Sequence, residues 1–380
     1  MTPVRILSGA VSKFGELWDV SPRDLVKEVV QKALTEAGLT TSSIDGVFVG
    51  NMLAGTLGNQ DHLGAFFSEE LGIFRGSISV EGACASGGLA VHSGVMAILS
   101  ELYHHVLVIG VEKMTDHKPE DVAKGLMGAG SSAERESGAT FPSLYALMAV
   151  AHMEKYGTTE EQMAAVSVKN HFHASLNPNA QFHTPITIEQ VMKSSCIASP
   201  LKLLDCSPIT DGAAAIILSK NKTKNEISII ASSVETDTLG VAERESLTSL
   251  ASSVHASKEA YAQAGIKPSD IDVAEVHDCF SIAEILAMED LGFFQKGEAA
   301  EAIFEGKTKL GSKKLVVNTS GGLKASGHPV GATGVKQIVE IYEQLKGKAG
   351  KRQVDGAKIG LTHNVGGSGA TAVIHILRRN

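Results

Sequence analysis

Four short segments carry residue types that together could activate a thiol and move protons. The first is Glu81-Gly82-Ala83-Cys84-Ala85-Ser86-Gly87-Gly88. A strand expected at 76–80 precedes it, and a helical pattern through Leu89, Val95, Met96, Ile98 and Leu99 follows. Cys84 then falls at or near a helix N-terminus. There the helix dipole favours thiolate and unpaired backbone N–H groups can bind an oxyanion. The small neighbours let a substrate reach the sulfur, and a thiolate could hold an acyl group as a thioester. Burial as a structural cysteine is the commoner fate of a single Cys, so Cys84 decides nothing by itself.

The second segment runs from Gly321 to Gly334 around Gly327-His328-Pro329. Glycine and proline shape the backbone tightly there, which suits a histidine held as general base for a thiol. The third, His277-Asp278-Cys279-Phe280, follows a strand expected at 273–276. The fourth, Thr362-His363-Asn364-Val365-Gly366-Gly367, follows one expected at 358–361. All four are read as loops at the carboxyl ends of strands, where α/β proteins gather their sites. A second thiol among histidines could exchange a proton with a substrate carbon. Each histidine alone is more often structural, and it is the coincidence of four such loops that points to chemistry. Cys196 and Cys206 have no partner motif and read as structural.

The elements that must position these loops repeat along the chain. Residues 33–49 (ALTEAGLTTSSIDGVFV) resemble residues 260–276 (AYAQAGIKPSDIDVAEV) at an offset of 227. Each reads as a helix end, a glycine stop, a short loop and a buried strand. Ser21 with Pro22 marks the start of the first helix, and Leu25, Val26, Val29, Val30, Ala33 and Leu34 mark its buried face. A second match, Asp211–Ile217 with Ser368–Ile374, has an offset of 157. The smaller offset implies an insertion in the first half, expected at about 115–200 as a helix- and loop-rich lobe covering substrate. The expected organisation is a first half at 1–222 and a second at 223–380, both of packed α/β layers.

Bulk properties narrow the function classes. The chain has 380 residues, 43% hydrophobic and 20% charged, enough for substantial cores. Its formal net charge of -8 argues against nucleic-acid binding by bulk charge. There is no Cys-x-x-Cys pair, so a structural zinc site is not expected, and four cysteines in this length fit free thiols in a reducing cytoplasm. No apolar run is long enough to span a membrane, and neither end carries a signal or peroxisomal address.

Taken together, the Cys84 segment, Gly327-His328-Pro329, Val111-Glu112-Lys113-Met114 and Pro208-Ile209-Thr210-Asp211-Gly212-Ala213-Ala214-Ala215 resemble the thiolase superfamily over nearly the whole chain. The likeness is strongest to the sterol-carrier-protein type and to archaeal acetyl-CoA acetyltransferases. His152-Met153-Glu154-Lys155-Tyr156-Gly157 and Lys169-Asn170-His171 resemble that subfamily's loop region. Most thiolases have Asn-Glu-Ala-Phe at 277–280 and a Cys-x-Gly at 363–365. Here the second cysteine stands at Cys279, and the role of His363 is open.

The resemblance implies a five-layer αβαβα fold of two similar halves, with a loop domain inserted in the first. It implies a ping-pong Claisen condensation of two acetyl-CoA to acetoacetyl-CoA. His328, with His363 nearby, would activate Cys84. Cys279 would deprotonate the second acetyl-CoA, and His328 with His277 would stabilise the enolate. The acyl oxyanion would lie against backbone N–H groups of Cys84 and the 365–367 turn, with Val365, Gly366 and Gly327 as the binding positions. No metal or redox cofactor is implied, and coenzyme A is a substrate. A homodimer or homotetramer follows from the same likeness. So does an assembly with hydroxymethylglutaryl-CoA synthase through a small zinc-containing OB-fold protein, feeding mevalonate synthesis. The competing expectations are a degradative 3-ketoacyl-CoA thiolase, a malonyl-dependent ketoacyl synthase, and a non-catalytic scaffold or lipid-binding relative.

Overall fold

The computed structural model describes residues 3–221 and 226–380. The half boundary expected at 222/223 lies outside the described residues. Ten strands make one sheet. The first half supplies β1 (Val4–Val11), β2 (Gly46–Gly50), β3 (Gly76–Val80), β4 (His105–Glu112) and β5 (Gly212–Ser219). The second supplies β6 (Ile227–Thr236), β7 (Val273–Glu275), β8 (Val316–Val317), β9 (Ile359–Gly366) and β10 (Thr371–Arg379). The main helices are α1 (Pro22–Ala37), α2 (Ser86–Leu99), α3 (Phe141–Tyr156), α4 (Glu160–Ala174), α5 (Ala251–Ala264), α6 (Ser281–Asp290) and α7 (Val330–Lys346).

The strand order is β3-β2-β4-β5-β1-β6-β10-β9-β7-β8. Adding five to each strand number of the first half gives the second half in mirror order. The pairing senses agree too: β2 is parallel to β3 and β4, as β7 is to β8 and β9, and β5 and β10 are each antiparallel to both neighbours. The halves join where Val4, Arg5 and Ile6 pair antiparallel with Ile229, Ser228 and Ile227. Both repeats seen in the sequence land on equivalent elements. Gly38 and Gly265 close α1 and α5 at φ +66° and +65°. In each, the following N–H returns to the helix, Leu39 to Leu34 O and Ile266 to Tyr261 O.

Layering follows from strand alternation. On β5, Ala213, Ala215 and Ile217 pack with α1, while Ala214, Ile216 and Leu218 face α2 and α7. The latter cluster also takes Ile227, Ile229, Val273 and Leu377 from the second half. The pair α2/α7 is thus the central layer, with α1 and α5 outside, five layers in all. Burying each such Ile, Val or Leu side chain contributes about 1.5–3 kcal/mol. The two central helices touch backbone to backbone. A Cβ on Gly334 would lie 2.1 Å from Gly88 N, and one on Gly87 would lie 2.7 Å from Gly331 O. Glycine at these crossings lets the starts of both helices, and the loops entering them, converge.

The halves differ most in one connection. Residues 113–211 separate β4 from β5, whereas 367–370 separate β9 from β10. The long connection carries α3 and α4. The latter reaches across to the second half, where Lys169 Nζ meets Glu284 Oε1 at 2.6 Å and Asn170 Nδ2 meets Asp278 Oδ2 at 2.7 Å. Among the described residues no helix is long and apolar enough to cross a membrane.

Candidate active site

Cys84 sits in a tight 3-10 turn, Ala83–Ala85, that feeds α2. Ser86 Oγ clamps the turn, accepting from Gly82 N–H at 3.0 Å and donating to Ala83 O at 2.6 Å. Ala83 adopts φ +53°, a left-handed conformation that costs a non-glycine residue about 1 kcal/mol. His328 lies between the helix turn Gly322–Ser326 and α7, its N–H held by Thr210 Oγ1 at 3.0 Å. His277 and Cys279 leave β7 as expected, and Asp278 between them ties their loop to the His328 loop. Its carboxylate accepts Leu323 N–H at 2.6 Å and Lys324 N–H at 3.3 Å.

The acidic residues Glu112 and Asp211 are clasps. Glu112 accepts N–H groups of Met52, Leu53 and Gly331, and Asp211 accepts those of Met114, Thr115 and Leu17. Burial pushes the Glu112 carboxyl up to about 7 against these donors.

Cys84 Sγ, one ring nitrogen of His277 and one of His328 lie within 4.8 Å of one another. The rings of His277 and His328 meet edge to face, centroids 5.1 Å apart. Nε2 of each is buried with no protein partner, and the opposite nitrogens fix the tautomers. Thr333 Oγ1 uses its one hydrogen on Pro329 O, so at 2.7 Å from His328 Nδ1 it accepts. His328 therefore carries its proton on Nδ1 and presents a bare Nε2. Asn364 works the other way. Its Oδ1 takes Gly88 N–H at 3.0 Å, so Nδ2 is the donor to Cys84 O at 2.9 Å and to His277 Nδ1 at 3.2 Å. His277 must then present Nε2–H. One imidazole offers a base and the other a hydrogen-bond donor. In this form His277 Nε2 donates a hydrogen rather than offering a lone pair.

Burial dominates the electrostatics and outweighs the helix start expected to favour thiolate at Cys84. Its thiol is pushed up to about 12, with Glu112 and Glu81 adding to the effect and N–H donors from Gly367 and Cys84 itself opposing it. Burial also holds His328 down to about 3, His277 well below the usual imidazole range, and the Cys279 thiol well above the usual thiol range. Cys84, Cys279 and His328 line one cavity of about 170 Å³, walled by apolar groups that include Val122, Phe141 and Ile209.

Three expectations need correction. His363 is on strand β9, which continues to Gly366, and not in a loop. Strand alternation turns its ring to the outer face, where Nε2 lies 2.8 Å from Ser253 Oγ of α5. Its neighbour Asn364 faces Cys84 instead. Val365 and Gly366 are ladder residues opposite Ala372 and Thr371, and Gly327 N–H is used on Leu323 O at 3.3 Å. The turn N–H aimed at the Cys84 sulfur belongs to Gly367. Gly367 is the last residue of the expected 365–367 turn, whereas Asn364 and Thr333 were missed as functional residues, as was Tyr145 of α3, which also lines the cavity. For Asn364 a signal existed: Leu361, His363 and Val365 share one strand face, which leaves Thr362 and Asn364 on the other.

The chain belongs to the thiolase family. The family model described as "Thiolase, N-terminal domain" matches residues 4–222, and "Thiolase C-terminal domain-like" matches residues 233–379. It is 48% identical over 386 residues to the acetyl-CoA acetyltransferase of Methanothermobacter thermautotrophicus, covering 100% of both chains. It is 35% identical over 369 residues to sterol carrier protein 2 of Bos taurus, covering 92% of this chain and 67% of that one. Among solved structures, an Ltp2-ChsH2(DUF35) aldolase shares the fold with a TM-score of 0.85 at 24% identity, covering 100% of this chain and 98% of that one.

Proposed function

We propose that the chain is an acetyl-CoA C-acetyltransferase that condenses two acetyl-CoA to acetoacetyl-CoA and CoA, reversibly, through acetyl–Cys84. The observation that carries this reading is the opposed pair of free Nε2 atoms, a lone pair on His328 and an N–H on His277, beside Cys84. His328 Nε2 takes the Cys84 proton as sulfur attacks the first thioester, and the oxyanion lies against Gly367 N–H and Cys84 N–H. Cys279 protonates the departing CoA thiolate. The Cys279 thiolate then removes a proton from the methyl group of the second acetyl-CoA. His277 Nε2–H receives the enolate oxygen, and the enolate carbon attacks the acetyl–Cys84 carbonyl. The adduct collapses with cleavage of the carbon–sulfur bond, and the released Cys84 thiolate takes back the proton held on His328. No step needs a metal or a redox group. The test is a steady-state assay of condensation and thiolysis on wild type, Cys84→Ala and Cys279→Ala. Both variants should lose turnover, and a Cys279→Ala enzyme at full rate would remove that residue from the mechanism.

A second reading, a degradative 3-ketoacyl-CoA thiolase, draws support from the apolar cavity wall beyond Cys84. A thiolysis series over acyl length separates the two: kcat/KM falls with each added carbon pair under the first and rises under the second.

The proposal extends to a homodimer or homotetramer in the cytoplasm, supplying acetoacetyl-CoA for mevalonate synthesis. Thiolysis is favoured over condensation, so a partner that consumes acetoacetyl-CoA has a physical use. Hydroxymethylglutaryl-CoA synthase, held through a small zinc-containing OB-fold protein, is the partner proposed. Light scattering of the chain alone and with both proteins tests assembly.

A further inference from the structure

Tyr145 is a buried titratable group for which the steps above have no use. It lies on α3, in the connection that only the first half carries, and is 1% exposed. Its ring packs on Phe280, centroids 4.7 Å apart. Its hydroxyl donates to Gly367 O at 3.3 Å, a long bond that is easily exchanged. The phenol and the Cys279 thiol line the same cavity, close enough for each to shift the other's ionisation. Gly367 in turn aims its N–H at the Cys84 sulfur. One phenol therefore shares a cavity with the second thiol and reaches the first through a single peptide unit.

We propose that Tyr145 is a further catalytic residue, a switchable donor that turns from Gly367 to hydrogen-bond the Cys279 thiolate between the two half-reactions. This rests on Cys279 being the acid/base. At rest the phenol hydrogen is on Gly367 O. When Cys279 gives its proton to the departing CoA thiolate, the S–H bond breaks and the electron pair stays on sulfur. The phenol O–H then turns from the Gly367 carbonyl to that sulfur, with no net proton transfer. When the thiolate takes a methyl proton from the second acetyl-CoA, the C–H pair becomes the enolate and the phenol returns to Gly367. Burial raises the phenol well above its usual range, so it remains a donor throughout neutral pH.

Tyr145→Phe tests this, because it keeps the ring on Phe280 and removes only the hydroxyl. Two rates are compared with wild type: acetyl transfer to Cys84 from the acetyl thioester of an acidic aryl thiol, whose thiolate leaves without needing a proton, by quench and mass spectrometry, and deuterium wash-in from solvent to the methyl group of acetyl-CoA. A donor to a charged group is expected to be worth about tenfold to a hundredfold in the wash-in rate, with acetyl transfer within about threefold of wild type. The pH midpoint of wash-in moves up, since the thiolate has lost its donor. Equal loss in both rates, or no loss in either, assigns Tyr145 to packing and overturns the proposal. Should Tyr145→Phe not fold, a ring-fluorinated tyrosine at 145 serves. Its more acidic phenol is a stronger donor and moves the wash-in midpoint down, and an unmoved midpoint overturns the proposal. Failure of wild type to become acetylated instead overturns the Cys84 reading, and this inference with it.

Discussion

Asn364 Nδ2 lies 3.2 Å from His277 Nδ1, and Asn364 Oδ1 is held by the backbone N–H of Gly88 at 3.0 Å. A helix start in one half thus sets the tautomer of a histidine in the other. Asn364→Asp replaces the donor to Nδ1 with an acceptor, so the His277 proton moves to Nδ1 and Nε2–H is lost. Loss of one such donor to a developing oxyanion costs about 10²–10³-fold in kcat. Condensation should fall by that order. Deuterium wash-in to acetyl-CoA measures the enolate step directly, and an unchanged wash-in rate would contradict the assigned tautomer.

The resting thiol gives a pH dependence with a definite sign. A Cys84 thiol raised to about 12 is protonated at neutral pH, and a His328 imidazole lowered to about 3 is neutral there. The pair rests as thiol and free base rather than as thiolate and imidazolium. Iodoacetamide alkylation of Cys84 in the free enzyme should therefore climb steadily between about pH 6 and pH 10, with no plateau. A flat rate across that window marks a preformed ion pair and contradicts the account.

His363 and His328 should separate cleanly. His363→Asn removes the partner of Ser253 Oγ and should lower stability by about 1–3 kcal/mol, read as a lower denaturation midpoint. Its Cys84 acetylation rate should remain within about threefold of wild type. His328→Asn removes the base and should slow acetylation by about 10²–10⁴-fold. Comparable losses in the two variants would place His363 back beside Cys84.

The crossing of α2 and α7 predicts a packing defect with a functional consequence. Gly334→Ala puts a Cβ 2.1 Å from Gly88 N and 2.4 Å from Asn364 Oδ1. Overpacking of this kind costs about 1–3 kcal/mol or more. Because the clash falls on Asn364, wash-in should fall further than the loss of folded protein explains. Urea unfolding alongside the kinetic assay makes that comparison.

Much of this was legible in the sequence because it depends on local type and spacing. The loops of Cys84, Cys279 with His277, and His328 are marked by glycine, proline and a preceding apolar strand, and the repeat at 38 and 265 marks equivalent helix stops. What was not legible depends on registration between distant segments. The end of β9 decides whether His363 or Asn364 faces Cys84, and a strand longer by a few residues exchanged their roles. Tyr145 lies on a helix from the inserted connection, and nothing near it in sequence indicates that it meets Gly367. The sense of the Cys84 environment was also hidden, because burial, which sequence spacing does not report, outweighs a favourable helix start.

The central claim is that Cys84 carries the acyl group while Cys279 moves protons and never carries acyl. Intact-protein mass spectrometry after brief exposure to acetyl-CoA tests it in three samples. Wild type and Cys279→Ala should each gain one acetyl group, mapped to the peptide containing Cys84, and Cys84→Ala should gain none. An acetyl group that persists in Cys84→Ala, or that maps to Cys279, would contradict the account.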